Sequence, residues 1–517
     1  MMIFQLALKR KQVCFTLLIS LFFFSCKQDT KKEDASSKPN VVFLFADDMT
    51  YQAINALGNQ EIYTPHLDKL VRKGTTFSHT YNMGGWNGAV CIASRSMMIS
   101  GQYIWRAKKF MDQYAKGEHT LENHTWGKLM KQQGYDTYMS GKWHVGIPAG
   151  KVFEDTTHIR PGMPRDMGFF GPLRKWLAGG KKEAWAAIMP AGYNRPLDEN
   201  DDSWSPVDPK FGGFWEGGKH WSEVLKDDAL AFIDKAAQKE NPFFMYLAFN
   251  APHDPRQAPQ SFLDKYPLDK ISLPPNWQPA YPGMDSIGVG RTLRDEALAP
   301  LPRTEYATKV HIQEYYAIIS HLDEQIGKIV DALERTGQLE NTYIFFSADH
   351  GLAVGQHGLL GKQNMYDHSL RVPLLVSGPG IPANKKVSAD VYLQDIMATS
   401  LELAGLDPAH NQVEFHSFLD LAKGTETNSH YPAIYGCYIN FQRMIRKDGF
   451  KLIVYPKLKQ LKLFQVSTDK DEMIDLSEDA DHRGTISTLF DDLLQLQKEM
   501  EDELDIGFLK DYLKTSI

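Results

Sequence analysis

A chain of 517 residues is long enough to bury a large core and to hold one big domain with a smaller one beside it. Aromatic residues make up 12% of it, with 39 Gly and 27 Pro, which is a globular composition and not a low-complexity one. The net charge of −7 lacks the basic excess of nucleic-acid binders, so nucleic acid is not an expected partner and a polyanionic substrate would need a local basic site.

The N-terminus has the layout of an export signal. Lys9, Arg10 and Lys11 precede the apolar run Val13 to Phe24, too short for a comfortable membrane span and suited to a signal core. The run ends at Phe23-Phe24-Ser25-Cys26, and the polar stretch Lys27 to Pro39 follows. A small residue before Cys resembles a bacterial lipobox, which predicts a lipoprotein signal over 1–25, acylation of Cys26 and a polar tether over 26–38. Plain cleavage nearby, with Cys26 incidental, is the alternative. The charged residues after Cys26 resemble the surface-export signals of Bacteroidetes lipoproteins. The expected location is the periplasm, or the outer membrane or surface of a Gram-negative cell, anchored through Cys26. Cys14 leaves with the signal, so Cys91 and Cys437 remain, too few for a disulfide framework. Cys437 lies in the apolar run Ile434 to Tyr438 and reads as core filler.

The continuous apolar run Asn40 to Ala46 predicts a buried parallel strand. Thr64-Pro65 opens a helix with Leu67, Leu70 and Val71 as its stripe, and Gly74 ends it. Thr75 to Tyr81 is a strand. A helix around Trp126, Leu129 and Met130 leads through Gly134 to the strand Thr137–Met139. Phe243–Phe249, Tyr343–Ser347 and Pro373–Ser377 are further strands, and His311–Arg335 is a long amphipathic helix. This alternation predicts an α/β fold, a large, mostly parallel sheet flanked by helices. Residues 146–221, with Trp176, Trp185, Trp204, Trp215 and Trp221, and the Pro-rich residues 256–304 read as cleft-shaping insertions. Those tryptophans either stack on sugar rings or pack the loops down. From about Thr425 the pattern alternates as antiparallel strands (442–446, 450–454, 462–466), then a helix over 487–501. The expected division is a main domain over 39–424 and a smaller α+β subdomain over 425–517.

Ligands of open α/β sheets bind beyond the carboxyl ends of the strands. Four strand ends here carry Asp47-Asp48, Ser140-Gly141-Lys142-Trp143-His144, Pro252-His253 and Asp349-His350, with Lys362 soon after. Three aspartates together suit a hard divalent cation, since clustered carboxylates repel without a counter-charge. Each motif alone would read as a capping pair, a turn or a structural histidine. Cys91-Ile92-Ala93-Ser94-Arg95 adds a cysteine at the start of a helix, behind the Gly-rich Gly84-Gly85-Trp86-Asn87-Gly88, where an anion is favoured.

In combination these motifs resemble the formylglycine-dependent sulfatases of the alkaline phosphatase superfamily, from about Pro39 onward. Ser347-Ala348-Asp349-His350-Gly351 is similar to the form found in iduronate-2-sulfatase and bacterial polysaccharide sulfatases, and Arg294-Asp295-Glu296 looks like the bacterial group. The resemblance implies that a maturation enzyme, a formylglycine-generating or an anaerobic one, oxidises Cys91 to formylglycine. It implies one Ca²⁺ held by Asp47, Asp48, Asp349 and His350, although His is a less usual calcium neighbour than an oxygen ligand. It assigns Arg95 to hold the hydrated aldehyde, Lys142 and Lys362 to bind sulfate oxygens, His253 to protonate the leaving alcohol and His144 to take the second hydroxyl's proton. The expected partner is a sulfated carbohydrate, with algal polysaccharides such as ulvan or carrageenan favoured. A phosphonate or phosphate ester hydrolase of the same superfamily, and a non-catalytic glycan-binding lipoprotein, are the rival readings.

Overall fold

The computed structural model describes residues 38–162, 178, 179, 196, 198–211, 215–290 and 293–510. The expected export signal, Cys26 and the tether up to residue 37 lie outside the described residues, as do Trp176 and Trp185. Among the described residues, no helix is long and apolar enough to cross a membrane.

The strand Asn40–Ala46 is buried along its whole length. It can be apolar on both faces because it lies inside the sheet, with Phe243–Ala248 parallel on one side and Thr342–Ala348 parallel on the other. Beyond Phe243–Ala248 come Asp136–Lys142 and Asp155–Arg160, both parallel. Beyond Thr342–Ala348 come Arg371–Ser377, Thr75–Tyr81 and Lys385–Val387, with Val391–Tyr392 also pairing to Thr75–Tyr81. Arg371–Ser377 runs against its two neighbours, so this sheet of nine strands is mixed but mostly parallel, as expected. The chain from Lys38 onward forms one compact unit.

The long helix Glu305–Arg335 starts six residues before the expected His311, because Thr304 caps it by accepting a hydrogen bond from Ala307 N (3.1 Å). Thr64 stands at the start of the helix Pro65–Lys73 but does not cap it; its hydroxyl donates to Asp68 at 3.1 Å. Residues 146–221 are not wholly insertion. They open with the short helix Ala149–Val152 and the edge strand Asp155–Arg160, whose polar composition hid it. The described tryptophans of this stretch pack it down. Trp204 is buried and donates to Glu314, Trp215 donates to Gln257 Oε1 (3.0 Å), and the Arg160 guanidinium covers Trp221.

The C-terminal strands Ile434–Tyr438, Gln442–Lys447, Phe450–Tyr455 and Gln460–Phe464 form an antiparallel meander, followed by the helix Arg483–Glu499. The meander takes a fifth strand, Gly84–Gly85, from the segment just before Cys91. Gly84 has φ +86, and a Cβ there would lie 2.0 Å from the Cys437 carbonyl oxygen. Gly141, at the irregular register with Asp155–Arg160, has φ +94, and a Cβ there would lie 1.9 Å from the Ala248 carbonyl oxygen. Both positions therefore require glycine for close approach of backbone as well as for dihedral freedom.

Gly141→Ala is expected to lower stability by roughly 2–4 kcal/mol, because backbone must shift to admit the methyl. Gly117→Ala, also at positive φ but in open space, should cost about 1 kcal/mol. Urea denaturation of the two variants checks the difference.

Candidate functional site

The register aligns the carboxyl ends of the central strands. Ala46 lies beside Ala348, Phe45 beside Ala248, and Ala248 beside Gly141. The residues that follow therefore emerge together on one edge of the sheet: Asp47 and Asp48, Asp349, and Lys142. Asp48 turns through φ 67, and its N–H donates to Asp349 Oδ1 at 3.1 Å. Tyr315, from the long helix, donates to Asp48 O at 2.7 Å and fixes this turn from behind.

Cys91 enters as the second residue of the helix Val90–Ser100, which is buried at nearly every position. Its Sγ lies 3.5 Å from Asp47 Oδ1 and 3.5 Å from Asp48 Oδ1, and Lys362 Nζ approaches it to 3.0 Å. Asp47, Asp48, Cys91 and Asp349 each offer one atom to a group within 4.8 Å of one another, and all four residues are buried. Three carboxylate oxygens at this spacing are the donor set of a hard divalent cation.

Arg95 lies four residues beyond Cys91, on the same face of the helix one turn on. It is fully buried. Its Nε donates to Asp349 Oδ2 (2.8 Å), its Nη1 to Lys142 O (2.7 Å), and its Nη2 lies 3.8 Å from Asp47 Oδ1. The guanidinium also faces the Phe45 ring, 4.7 Å from its centroid. The resemblance assigns Arg95 to the nucleophile; here its nitrogens face the aspartates that surround that nucleophile. Lys142 pairs with Asp47, and Lys362 with Asp48. Three carboxylates thus meet three cations.

The protonation of the cluster follows from burial and from who touches whom. Burial and repulsion from Asp349 raise Asp47 to about 8, against the pull of Lys142. Burial raises Asp48 too, although Lys362 opposes it. Burial also works on Asp349, but Arg95, Lys142 and Lys362 outweigh it and hold its carboxyl well below the usual range. Burial, with Asp349 and Asp48 nearby, pushes the Cys91 thiol far up, so the sulfhydryl itself is no ready nucleophile at neutral pH. Without further positive charge the pocket resists three ionised carboxylates, and a divalent cation supplies that charge.

The expected histidines fall into two groups. His253 is buried beside Asp48, with Nε2 3.6 Å from Asp48 Oδ2. Its Nδ1 lies 2.8 Å from the Asp254 carbonyl, which can only accept, so Nδ1 carries the proton and Nε2 faces the site. His144 follows the Lys142 strand at φ 54, and its Nδ1 is buried without a hydrogen-bond partner among the described residues. Burial and then Lys142 and Arg95 keep it neutral. His350 is not among the four residues that converge. Its Nδ1 lies 3.3 Å from Gly351 O, and its buried Nε2 has no hydrogen-bond partner among the described residues.

Sequence reasoning left several contributors unplaced. Arg294 pairs with Asp254 and Asp295, and its Nη2 lies 3.4 Å from His253 Nε2. Gln363 donates to Asp295 Oδ2 (2.8 Å) and Gly88 O (3.0 Å), joining the insertion to the approach of Cys91. Glu296 accepts from Leu360 N (3.2 Å) and Gly361 N (2.8 Å) and pairs with buried Arg303, so it pins the loop that delivers Lys362. The adjacent acids at 295 and 296 were a visible signal, but their partners on the loop of Lys362 lie more than sixty residues along the chain.

The family described as Sulfatase matches residues 39–406, and the one described as N-sulphoglucosamine sulphohydrolase, C-terminal, matches residues 355–499. The chain is 27% identical over 401 residues to an ulvan-active sulfatase of Formosa agariphila, covering 75% of this chain and 67% of the relative. A protein solved in complex with k-i-k-neocarrahexaose shares the fold, with a TM-score of 0.61 and 21% identity over 93% of this chain and 98% of the other. So does a phosphonate monoester hydrolase of Silicibacter pomeroyi, with a TM-score of 0.65 and 19% identity over 90% and 96% of the two chains.

Adding Ca²⁺ to chelator-treated protein is expected to raise its melting temperature by several degrees, since a ligand that binds the folded state stabilises it. Asp349→Asn should remove most of that rise. Differential scanning calorimetry with and without EDTA measures both, and an equal rise in the variant would contradict the assignment of this cluster.

Proposed function

The chain belongs to the sulfatase family, whose members hydrolyse sulfuric esters, and we propose that its substrate is a sulfated polysaccharide or oligosaccharides derived from one. The observation that carries the chemistry is the meeting of Cys91 Sγ with three aspartates and Lys362 in one buried pocket. The substrate class is supported by the curated relative that acts on ulvan. An algal glycan is the favoured source, and an exported lipoprotein anchored through Cys26 is the favoured form of the mature protein.

The donor set fits Ca²⁺, with Asp47, Asp48 and Asp349 as its carboxylate ligands; His350, the expected fourth, lies outside the converging group, its buried Nε2 without a hydrogen-bond partner among the described residues. When bound, the ion supplies charge that lowers the pKa of a coordinated hydroxyl and offsets negative charge on sulfate oxygens. Formylglycine at position 91, the maturation product that the sequence motif implies, would as its hydrate supply a nucleophilic hydroxyl where the thiol stands and a second hydroxyl to release sulfate.

The chain's own residues do the rest. Lys142, paired with Asp47, and Lys362, paired with Asp48, are the ammonium groups for the sulfate oxygens. Arg95 holds Asp349 and Asp47 at fixed separation. His253, with Nδ1 tied to the Asp254 carbonyl and Nε2 facing Asp48 and Arg294, is placed to protonate the leaving oxygen once Nε2 has itself taken up a proton. His144, buried with Nδ1 lacking a hydrogen-bond partner among the described residues, is assigned the second hydroxyl's proton. Three carboxylates balance three cations, so a divalent ion leaves a surplus of positive charge. An anionic ester and an ionised nucleophile fill that surplus, which a neutral ester would not.

Sulfate release from sulfated ulvan, carrageenan and glycosaminoglycan oligosaccharides tests the reading, with aryl phosphonates as controls. Cys91→Ala is expected to fold normally and to release no sulfate, and normal activity in it would sink the mechanism. Higher turnover of phosphonates than of any sulfate ester would favour the rival activity. His253→Ala is expected to slow sugar sulfates about 10²–10⁴-fold and an activated aryl sulfate far less, because a good leaving group needs no proton.

A further inference from the structure

A cavity of about 430 Å³ lies not at Cys91 but between the Pro-rich insertion, the loop that carries Lys362, and the outer strands of the C-terminal meander. Its volume falls within the range of small-molecule sites, roughly 300–1,000 Å³. We propose that it is a second glycan-binding site, holding sugar residues of the substrate chain beyond the one that bears the reacting ester. The identity of that glycan rests on the sulfatase reading above.

The lining combines one half-buried indole, Trp277, with amides and the edges of buried aromatic rings. Trp277, Tyr281, Tyr455 and Phe464 line the cavity, with Asn276, Gln278 and Gln460 between them. Sugar rings offer both an apolar C–H face and a rim of hydroxyls, and this lining answers both. Trp277 is held rigid: its indole N–H donates to Thr308 Oγ1 at 3.1 Å, and its backbone bridges to Gln356. A platform fixed before binding loses little entropy on contact. Tyr281 Oη lies 3.0 Å from Tyr366 Oη and 3.2 Å from Tyr455 Oη, so three hydroxyls with rotatable protons meet at one wall.

Charge selects the ligand further. Lys462 on the wall pairs with Asp475 at 3.4 Å, and Glu472 beside them is bound from behind by buried Lys451 (2.7 Å). Among the described lining residues Lys462 is the one Lys or Arg and it is paired, so the cavity suits a weakly charged stretch of sugar and not a dense cluster of sulfates. The basic groups sit at the reacting centre instead.

Position ties the two sites together. Tyr366 at the cavity is four residues beyond Lys362, and four residues of extended chain span at most about 14 Å. Gln442 also links them, donating from Nε2 to Ile287 O on the cavity wall (2.8 Å) and to Gln363 O (3.1 Å). A glycan of several residues bridges this gap, whereas a sulfated monosaccharide reaches the reacting centre alone.

The test uses the full-length matured protein and matched substrates of one and six sugars from ulvan, carrageenan and heparan sulfate. For the cleaved series, KM for the hexasaccharide is expected about tenfold below that for the monosaccharide. Trp277→Ala should raise the hexasaccharide KM about tenfold, with kcat and the monosaccharide constants within twofold. Gln460→Ala, on an exposed strand end that tolerates truncation, should move KM in the same direction by a smaller factor. Equal KM at both lengths, or equal effects of the variants on both substrates, overturns the proposal. Failure to release sulfate from any series would instead sink the sulfatase reading. Calorimetric binding of the hexasaccharides to the same proteins then decides on the cavity: binding lost in Trp277→Ala upholds it, and no difference between wild type and variant overturns it.

Discussion

The structure depends on balancing charge where water is absent. Asp47, Asp48 and Asp349 are buried at the strand ends, and Arg95, Lys142 and Lys362 are buried with them. Taking an unpaired ion out of water costs several kcal/mol even after relaxation, so each of the six is tolerable only with its partners in place. Arg95 is the member with most to hold. It bonds Asp349, reaches Asp47 and takes the Lys142 carbonyl, and so couples three separate strands through one side chain. Removing it would strand two buried carboxylates, a loss of roughly 3–5 kcal/mol by comparison with other broken buried pairs. The arrangement stores no surplus stability. It exists to keep like charges close enough to grip a cation and an anionic substrate.

That requirement explains the surrounding architecture. Carboxylates from strands at opposite ends of the chain meet only if register is fixed, and the parallel core fixes it, with Asn40–Ala46 between Phe243–Ala248 and Thr342–Ala348. Cys91 must arrive on a rigid element, so it opens a buried helix whose approach strand, Gly84–Gly85, is knitted into the second sheet. Lys362 arrives on a loop, and loops are mobile unless tied. Glu296 and Arg303 tie it, and Asp295 with Gln363 ties it again. The C-terminal meander and the Pro-rich insertion thus brace the reacting centre as well as shape what lies beside it.

Most of the reacting centre was legible because parallel sheets announce their strand ends. Strands end at or a few residues before Asp47, Lys142, His253 and Asp349, and titratable side chains gathered at four such places are hard to explain as surface decoration. What escaped depends on contacts between segments far apart in sequence. Arg294 against His253, and Glu296 under Leu360, leave no local pattern. The strand Asp155–Arg160 escaped because an edge strand exposed on one side need not be apolar. The start of the long helix at Glu305 was hidden because Thr304 and its acidic first turn follow a Pro-rich stretch that reads as loop. The tryptophans of residues 146–221 stood open to two readings, and the three described ones pack against Glu314, Gln257 and Arg160.

On the proposed reading, the reacting centre and the cavity beside the meander divide the physical problem of a charged polymer between two kinds of surface. Sulfate is recognised by fixed charge, which is strong at short range, falls with ionic strength, and scarcely distinguishes one sulfated sugar from another. Sugar identity is recognised by shape and hydroxyl placement, which demand rigid faces and paired amides and gain little from net charge. Combining both in one pocket would place lysines against sugar hydroxyls and bury them without adequate partners. Here the cations stay with the aspartates at the sheet edge. The planar groups gather where the Pro-rich insertion meets the outer meander strands. On this division, changes in the insertion and in the outer strands alter which glycan is taken without disturbing the charge balance on which the chemistry depends.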